Sequence, residues 1–316
     1  MATGMIVLRA ESNKPAAAPA GIVSRHGKLK VVGTKLCDKN GAAIQLKGMS
    51  AHQLQHYPWT AVTVTNLVGQ YHNSMVRAAM YIEEGGYLTD PAGMMAKTKI
   101  IIDAAIANDI YVLIDWHGVG GDPNQHTAEA KVFFQEISAA YRASPNDIYE
   151  IYNEPNVGWS EIKRYADQVI PVIRANDPAS VIIVGTPNYC AIPQDALHDR
   201  LKFPNVMYTL HFYCGDATKE ASGQGQRENV TGLLAQGLPI FVTEWGTSNW
   251  DGDGGPYPLT ARKWLDFMNE HKLSWANWSL ATKQEGSAFL KPTATMSGPW
   301  TDKDLSPSGL FVKDQF

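Results

Sequence analysis

The chain has 316 residues, 44% of them hydrophobic, and a formal charge of −4 with both signs scattered along it. That suits a single α/β barrel of about 250 residues with short additions. It lacks a basic stripe, an acidic tail and any apolar run of the roughly 20 residues that spans a bilayer, so neither nucleic acid nor a membrane is the expected partner.

At the start, Met5–Leu8 is a very short apolar stretch with Glu11 close behind, not a clear signal peptide. Lys14–Ala20 reads as a linker or expression remnant. Residues 1–25 are therefore set aside, and residues 26–316 are expected to form one (β/α)8 TIM-barrel domain. Gly33 to Gln45 reads as a hairpin turned by Asp38-Lys39-Asn40-Gly41 that caps the barrel floor.

Apolar, β-branched runs then predict strands at Ile44–Met49, Met75–Met80, Ile110–Asp115, Ile148–Tyr152, Val181–Gly185, Val206–His211, Ile240–Glu244 and Ser274–Ser279. Near-continuous hydrophobicity suits parallel strands buried on both faces. Helical periodicity falls between them, over Ala92–Ala107, Thr127–Tyr141, Ser160–Ile173 and Thr260–Met268. Eight strands alternating with helices close into a barrel whose strand C-termini carry the site.

The residues at those ends are unusual for a core. His52 follows the first strand, Arg77 and Tyr81 lie on the second, and Asp115 and His117 on the third. Asn153 and Glu154 follow the fourth, Tyr189 the fifth; His211 and Tyr213 end the sixth, Glu244 the seventh and Trp278 the eighth. Buried charge is costly unless paired. Tyr152-Asn153-Glu154-Pro155 and Val242-Thr243-Glu244-Trp245-Gly246 each deliver one glutamate to the rim. Two such carboxylates are the usual equipment for cleaving a glycosidic bond: one protonates the departing oxygen, the other attacks or activates water.

Arg77 is expected to grip a carboxylate bidentately and keep it ionised. Asn153 offers an amide to a sugar hydroxyl, or is a turn residue before Pro155. His117 and His211 orient carboxylates or hold hydroxyls, with a core histidine as the plainer alternative. Tyr213 can donate its phenol to the nucleophile; Asp115 is a candidate third acid, though its place before Trp116 favours a structural hydrogen bond. Nine Trp and thirteen Tyr supply flat faces for sugar rings as well as for the core.

Other chemistries lack their signatures. There is no His-Glu-x-x-His, Gly-x-Ser-x-Gly, phosphate loop or dinucleotide fingerprint, so no metal or cofactor is expected. Cys37, Cys190 and Cys214 cannot all pair, though one bridge is open to them. Asp251–Gly255 has part of a calcium loop's spacing without the later glutamate and reads as a flexible loop. Asn229-Val230-Thr231 fits a glycosylation sequon.

With these residues in view, the chain resembles the family 5 glycoside hydrolases, especially secreted bacterial-type endoglucanases (cellulases). The likeness runs from about Gly27 to the C-terminus. It is carried by Gln45-Leu-Lys-Gly-Met-Ser50, Arg77-Ala-Ala-Met-Tyr81, Ile114-Asp-Trp-His117, Tyr152-Asn-Glu-Pro-Asn156, Val242-Thr-Glu-Trp-Gly-Thr-Ser248, Trp275-Ala-Asn-Trp-Ser-Leu280 and Leu305-Ser-Pro-Ser-Gly309.

The resemblance implies a retaining endo-β-1,4-glucanase acting on cellulose or mixed-linkage β-glucan, with Glu154 as acid/base and Glu244 as nucleophile. Arg77 and Tyr213 match partners of the nucleophile; Asn153, His117 and His211 match contacts around the cleaved sugar. Trp278 matches a stacking platform on the non-reducing side, with Lys283 and Glu285 as polar contacts there. His52 and Tyr81 complete the expected substrate contacts. A secreted, monomeric protein is implied as well. A β-mannanase or xyloglucanase of the same family is the alternative, and a catalytically silent carbohydrate-binding barrel a third reading.

The chain departs from the pattern in three places. His56 stands where relatives often have a platform Trp, Tyr189 stands at another Trp position on the leaving-group side, and Glu83-Glu84 makes the second-strand loop more acidic. The first two weaken stacking on both sides.

Overall fold

The structure, a computed structural model, describes residues 21–215 and 224–316. Residues 1–20, which include the Lys14–Ala20 stretch, lie outside the described residues. A short antiparallel pair, β1 (Lys30–Val32) and β2 (Lys35–Cys37), precedes eight parallel strands. These are β3 (Lys47–Ala51), β4 (Met75–Tyr81), β5 (Tyr111–His117), β6 (Asp147–Glu150), β7 (Val181–Val184), β8 (Val206–Tyr213), β9 (Ile240–Gly246) and β10 (Trp275–Leu280). They close in sequence order, β10 pairing with β3, into the expected (β/α)8 barrel.

Strands β4, β5 and β9 are buried at every position, which explains their unbroken apolar runs. The helices outside bury one stripe each. Trp159–Asn176 turns Ile162, Tyr165, Ala166, Val169 and Ile173 inward at three- and four-residue intervals. Its neighbours at Ala61–Tyr71, Pro91–Ala107, Thr127–Ala140, Gln224–Ala235 and Pro258–His271 complete most of the ring. None of the described helices is long and apolar enough to cross a membrane.

The floor is closed by the segment before the barrel. Val23, Leu29, Leu36, Ile44 and Leu46 pack under inward side chains including Leu113, Ile148, Ile183, Met207 and Phe241. Packing begins earlier than residue 26: Ile22–His26 form a helix tied to the loop before β5 by Val23 N–H to Asp109 O. The hairpin turns at Gly33-Thr34, pairing Val32 with Lys35. The expected turn at Asp38–Gly41 exists, but it closes only the single bridge between Cys37 and Ala43. Ile44 gives its N–H to Leu36 O in the hairpin, so the first barrel strand starts at Lys47.

Candidate active site

Glu244 lies near the end of β9 with its side chain buried. Tyr213, at the end of β8, donates its phenol to Glu244 Oε1 at 2.7 Å. Arg77, in the middle of β4 and wholly buried, donates from Nη1 to Oε2 at 3.0 Å. The guanidinium does not grip one carboxylate bidentately. Its Nε reaches Glu150 at 2.8 Å and its Nη2 reaches Asp115 at 2.9 Å, and Nη2 also donates to Asn153 Oδ1 at 2.6 Å. One cation is thus shared by three carboxylates from three other strands. The fork's donors point in different directions, and each strand end offers one oxygen.

Three negative charges around one positive charge in a dry interior cannot all be equally stable. Burial pushes Asp115 and Glu150 up to about 7 despite Arg77. Glu244 goes the other way. Burial alone would raise it, but His211, Arg77 and the Tyr213 hydrogen bond together hold it below the usual carboxylate range.

Glu154 lies four residues past Glu150, the last residue of β6. Asn153 N–H bonds Trp116 O, Glu154 N–H bonds Gly118 O, and Glu154 bridges Val119 in parallel fashion. That bridge keeps the register in which Asp115 faces Glu150, so the glutamate continues the line of β6 alongside β5. Burial and the nearby charge of Glu244 push Glu154 above its usual range, with His211 partly opposing them. His211 Nδ1 lies 2.8 Å from Glu154 Oε1, and its Nε2 lies 2.8 Å from Thr243 Oγ1. Ligand atoms of Glu154, His211 and Glu244 all lie within 4.8 Å of one another. Among the described residues they are the only such group that could hold a cation, but Arg77 already supplies positive charge to Glu244.

His117 Nδ1 meets Asp115 Oδ2 at 2.6 Å, and its ring stacks on Tyr81 and Trp278 at centroid distances of 4.2 and 5.2 Å. Burial, with Arg77 nearby, drops its pKa well below the ordinary histidine value, so the ring is neutral. Asp115 makes the structural contact expected of it. His52 packs against Trp278 and sits 3.1 Å from Ser279 Oγ and 3.4 Å from Glu285. Glu285 also takes Lys283 at 2.6 Å and the Ser287 hydroxyl at 2.7 Å. Burial opposes its ionisation, yet the contacts from His52, Lys283 and Ser287 bring it down to about 2.

Two cavities meet over the glutamates. The larger, about 630 Å³, extends toward Tyr189, Trp264 and Gln226. The smaller, about 300 Å³, extends toward Trp278, Lys283 and Glu285. Both are lined by Val119, Glu154, Tyr213 and Trp250, so they form one cleft running past Glu154.

Two expected contacts fall elsewhere. Gln53, at φ 40°, accepts the N–H groups of His56 and Tyr57, and this tight turn leaves His56 exposed, outside the lining of either cavity. Asn153 also lines neither cavity: its amide is engaged by Arg77 and by Gly118 O. It positions the arginine and the Glu154 segment.

Sequence reasoning missed Glu150, Thr243 and Trp250. Glu150 carries the same signal that singled out Arg77, a charge inside an apolar strand. Trp250 lies on a loop, where no periodicity marks it. The three cysteines are free and buried, and Asn229 of the sequon sits on the helix Gln224–Ala235. The Asp251–Gly255 stretch is a turn closed by hydrogen bonds, among them Asn249 N–H to Asp253 O.

The sequence model of the family described as Cellulase (glycosyl hydrolase family 5) matches residues 37–284. An endoglucanase of Clostridium saccharobutylicum is 46% identical over 94% of this chain and 66% of its own length. Endoglucanase A of Evansella cellulosilytica is 49% identical over 87% of this chain and 57% of its own length. The chain thus spans less than two thirds of these curated relatives. The catalytic domain of Thermobifida fusca endoglucanase Cel5A, solved in complex with cellotetraose, superposes with a TM-score of 0.87 at 36% identity, covering 93% of this chain and 98% of that one. The barrel, the paired glutamates at its mouth and a family match over most of the length agree: the chain belongs to the cellulases of glycosyl hydrolase family 5.

Proposed function

We propose that the chain is a retaining endo-β-1,4-glucanase that cleaves internal bonds of cellulose or mixed-linkage β-glucan through a covalent glycosyl-enzyme. The observation that carries this is the approach of the Glu154 and Glu244 carboxylates to within 4.8 Å with opposite proton preferences. Retaining glycosidases hold the pair about 5–5.5 Å apart, whereas inverting ones leave about 6.5–9.5 Å for a water.

In the first step ionised Glu244 attacks the anomeric carbon while Glu154 gives its proton to the departing glycosidic oxygen. Attack turns Glu244 into a neutral ester as Glu154 loses its proton, so Glu154 is left as the free carboxylate beside His211. In the second step Glu154 takes a proton from water, the water oxygen attacks the same carbon from the face the leaving group vacated, and Glu244 departs as a carboxylate. Arg77 and Tyr213 fix the Glu244 carboxylate, which attacks in the first step and departs in the second.

A cleft continuing on both sides of the pair suits attack within a chain, and the endoglucanase relatives together with the cellotetraose-bound neighbour favour glucan. A polymer too large to enter a cell also favours action outside it. The test is reducing-sugar release from carboxymethyl cellulose, barley glucan and mannan, with the anomeric form of the first product followed by proton NMR. Release from the two glucans with initial β-product is expected; release from mannan alone, or initial α-product, would overturn the reading.

A further inference from the structure

We infer that Trp250 is a specificity-determining contact, its indole holding a glucosyl unit on the leaving-group side of the scissile bond. The inference rests on the glucanase reading and deepens it.

Trp250 is 74% exposed, has no ring partner or hydrogen bond among the described residues, and nonetheless lines both halves of the cleft. Single exposed apolar residues are common on a surface; what sets this one apart is that it lines the cleft on both sides of Glu154. It follows β9, while Val119, 53% exposed, follows β5. Three strands lie between β5 and β9 on either side of the ring of eight, so their loops face each other across the mouth with Glu154 and Tyr213 between them.

The turn bearing the indole is pinned. Ser287 N–H bonds Gly252 O at 2.8 Å and Gly252 N–H bonds Asn249 O at 3.0 Å. Gly252 has φ 87°, and a Cβ there would come 3.2 Å from Glu285 Oε2, so the turn is seated against the opposite half of the cleft. A fixed backbone that presents an unpacked indole loses little backbone entropy on binding.

The two halves differ in what they already own. Toward Glu285, Trp278 is packed against His117 and His52 as a ready platform. Toward the leaving group, the exposed aromatic is Tyr189, steadied by Asn156 Nδ2 on its hydroxyl at 3.1 Å. A phenol gives less contact than an indole, and Trp250 adds the larger face from across the cleft. The apolar C–H face of a β-linked glucosyl ring is the chemistry that fits.

The test compares kcat/KM on cellopentaose, which fills both sides, with that on an aryl cellobioside, whose leaving group is not a sugar. Trp250→Ala should lose about tenfold on cellopentaose and less than about threefold on the aryl glycoside. The loss should lie mainly in KM, and Trp250→Phe should recover part of it. Equal losses on both substrates, or no loss on cellopentaose, would overturn the inference while leaving the glucanase reading intact. A parent chain that cleaves neither substrate would bring down that reading and this inference with it.

Discussion

The two ends of the barrel are built from the same strands yet obey opposite rules. Along β9, Phe241 belongs to the apolar floor and Glu244, three residues on, to the mouth. Leu113 and Asp115 divide β5 in the same way, as do Ile148 and Glu150 on β6 and Met207 and His211 on β8. At the floor, hydrophobic side chains fill the interior under the N-terminal hairpin. At the mouth, one guanidinium serves three carboxylates, and Asp115 Oδ1 and Glu150 Oε1 are left without hydrogen-bond partners among the described residues. Stability and chemistry are separated by about 10 Å of strand, at 3.3 Å per residue. The floor contributes what the mouth costs.

The comparison breaks if changes at the mouth act through folding, or changes at the floor through chemistry. Glu244→Ala should lose about 10⁴-fold or more in kcat while the thermal midpoint falls little or rises, since a buried charge has been removed. Comparable losses of activity and midpoint would show that the mouth is structural. Glu154→Gln should lose about 10²–10⁴-fold on polysaccharide and much less on an aryl cellobioside with a good leaving group, which needs no proton. Equal losses on both would remove Glu154 from the acid role.

At the other end, Phe241→Ala should cost about 3–5 kcal/mol in denaturant unfolding while kcat of the folded fraction stays within a few-fold. A large fall in kcat at full folding would mean that floor packing sets the geometry of the pair. The smallest effect sharpens the electrostatics. Glu244 must be ionised, so activity falls as pH drops through its lowered pKa; Glu154 must be protonated, so activity falls as pH rises through its raised one. His211 lowers both, so His211→Asn should move both limbs of the kcat/KM profile to higher pH. A profile that only loses height would assign His211 to positioning without charge.

Much of this contrast was legible in the sequence. Strands buried on both faces announce themselves as apolar runs, and Arg77, His211 and Glu244 stand out inside them. The boundaries slipped where an apolar residue serves another partner, as Ile44 serves the hairpin. Glu154 stands where its motif put it, just past β6, because the chain there keeps the β5–β6 register. Where His56 sits is set by the turn at Gln53, which residue type does not reveal. Trp250 escaped because a loop has no period against which one indole looks out of place.

The claim on which the account rests is that Glu244 attacks while Glu154 serves it as acid and base. Incubation with an activated 2-deoxy-2-fluoro-cellobioside, followed by intact-mass and peptide mass spectrometry, tests it directly, because the fluorine slows the second step and the good leaving group allows the first. One fluorocellobiosyl unit on the peptide bearing Glu244 is the predicted result. A label on Glu154 or elsewhere, or turnover to an α-configured product with no adduct at all, would contradict it.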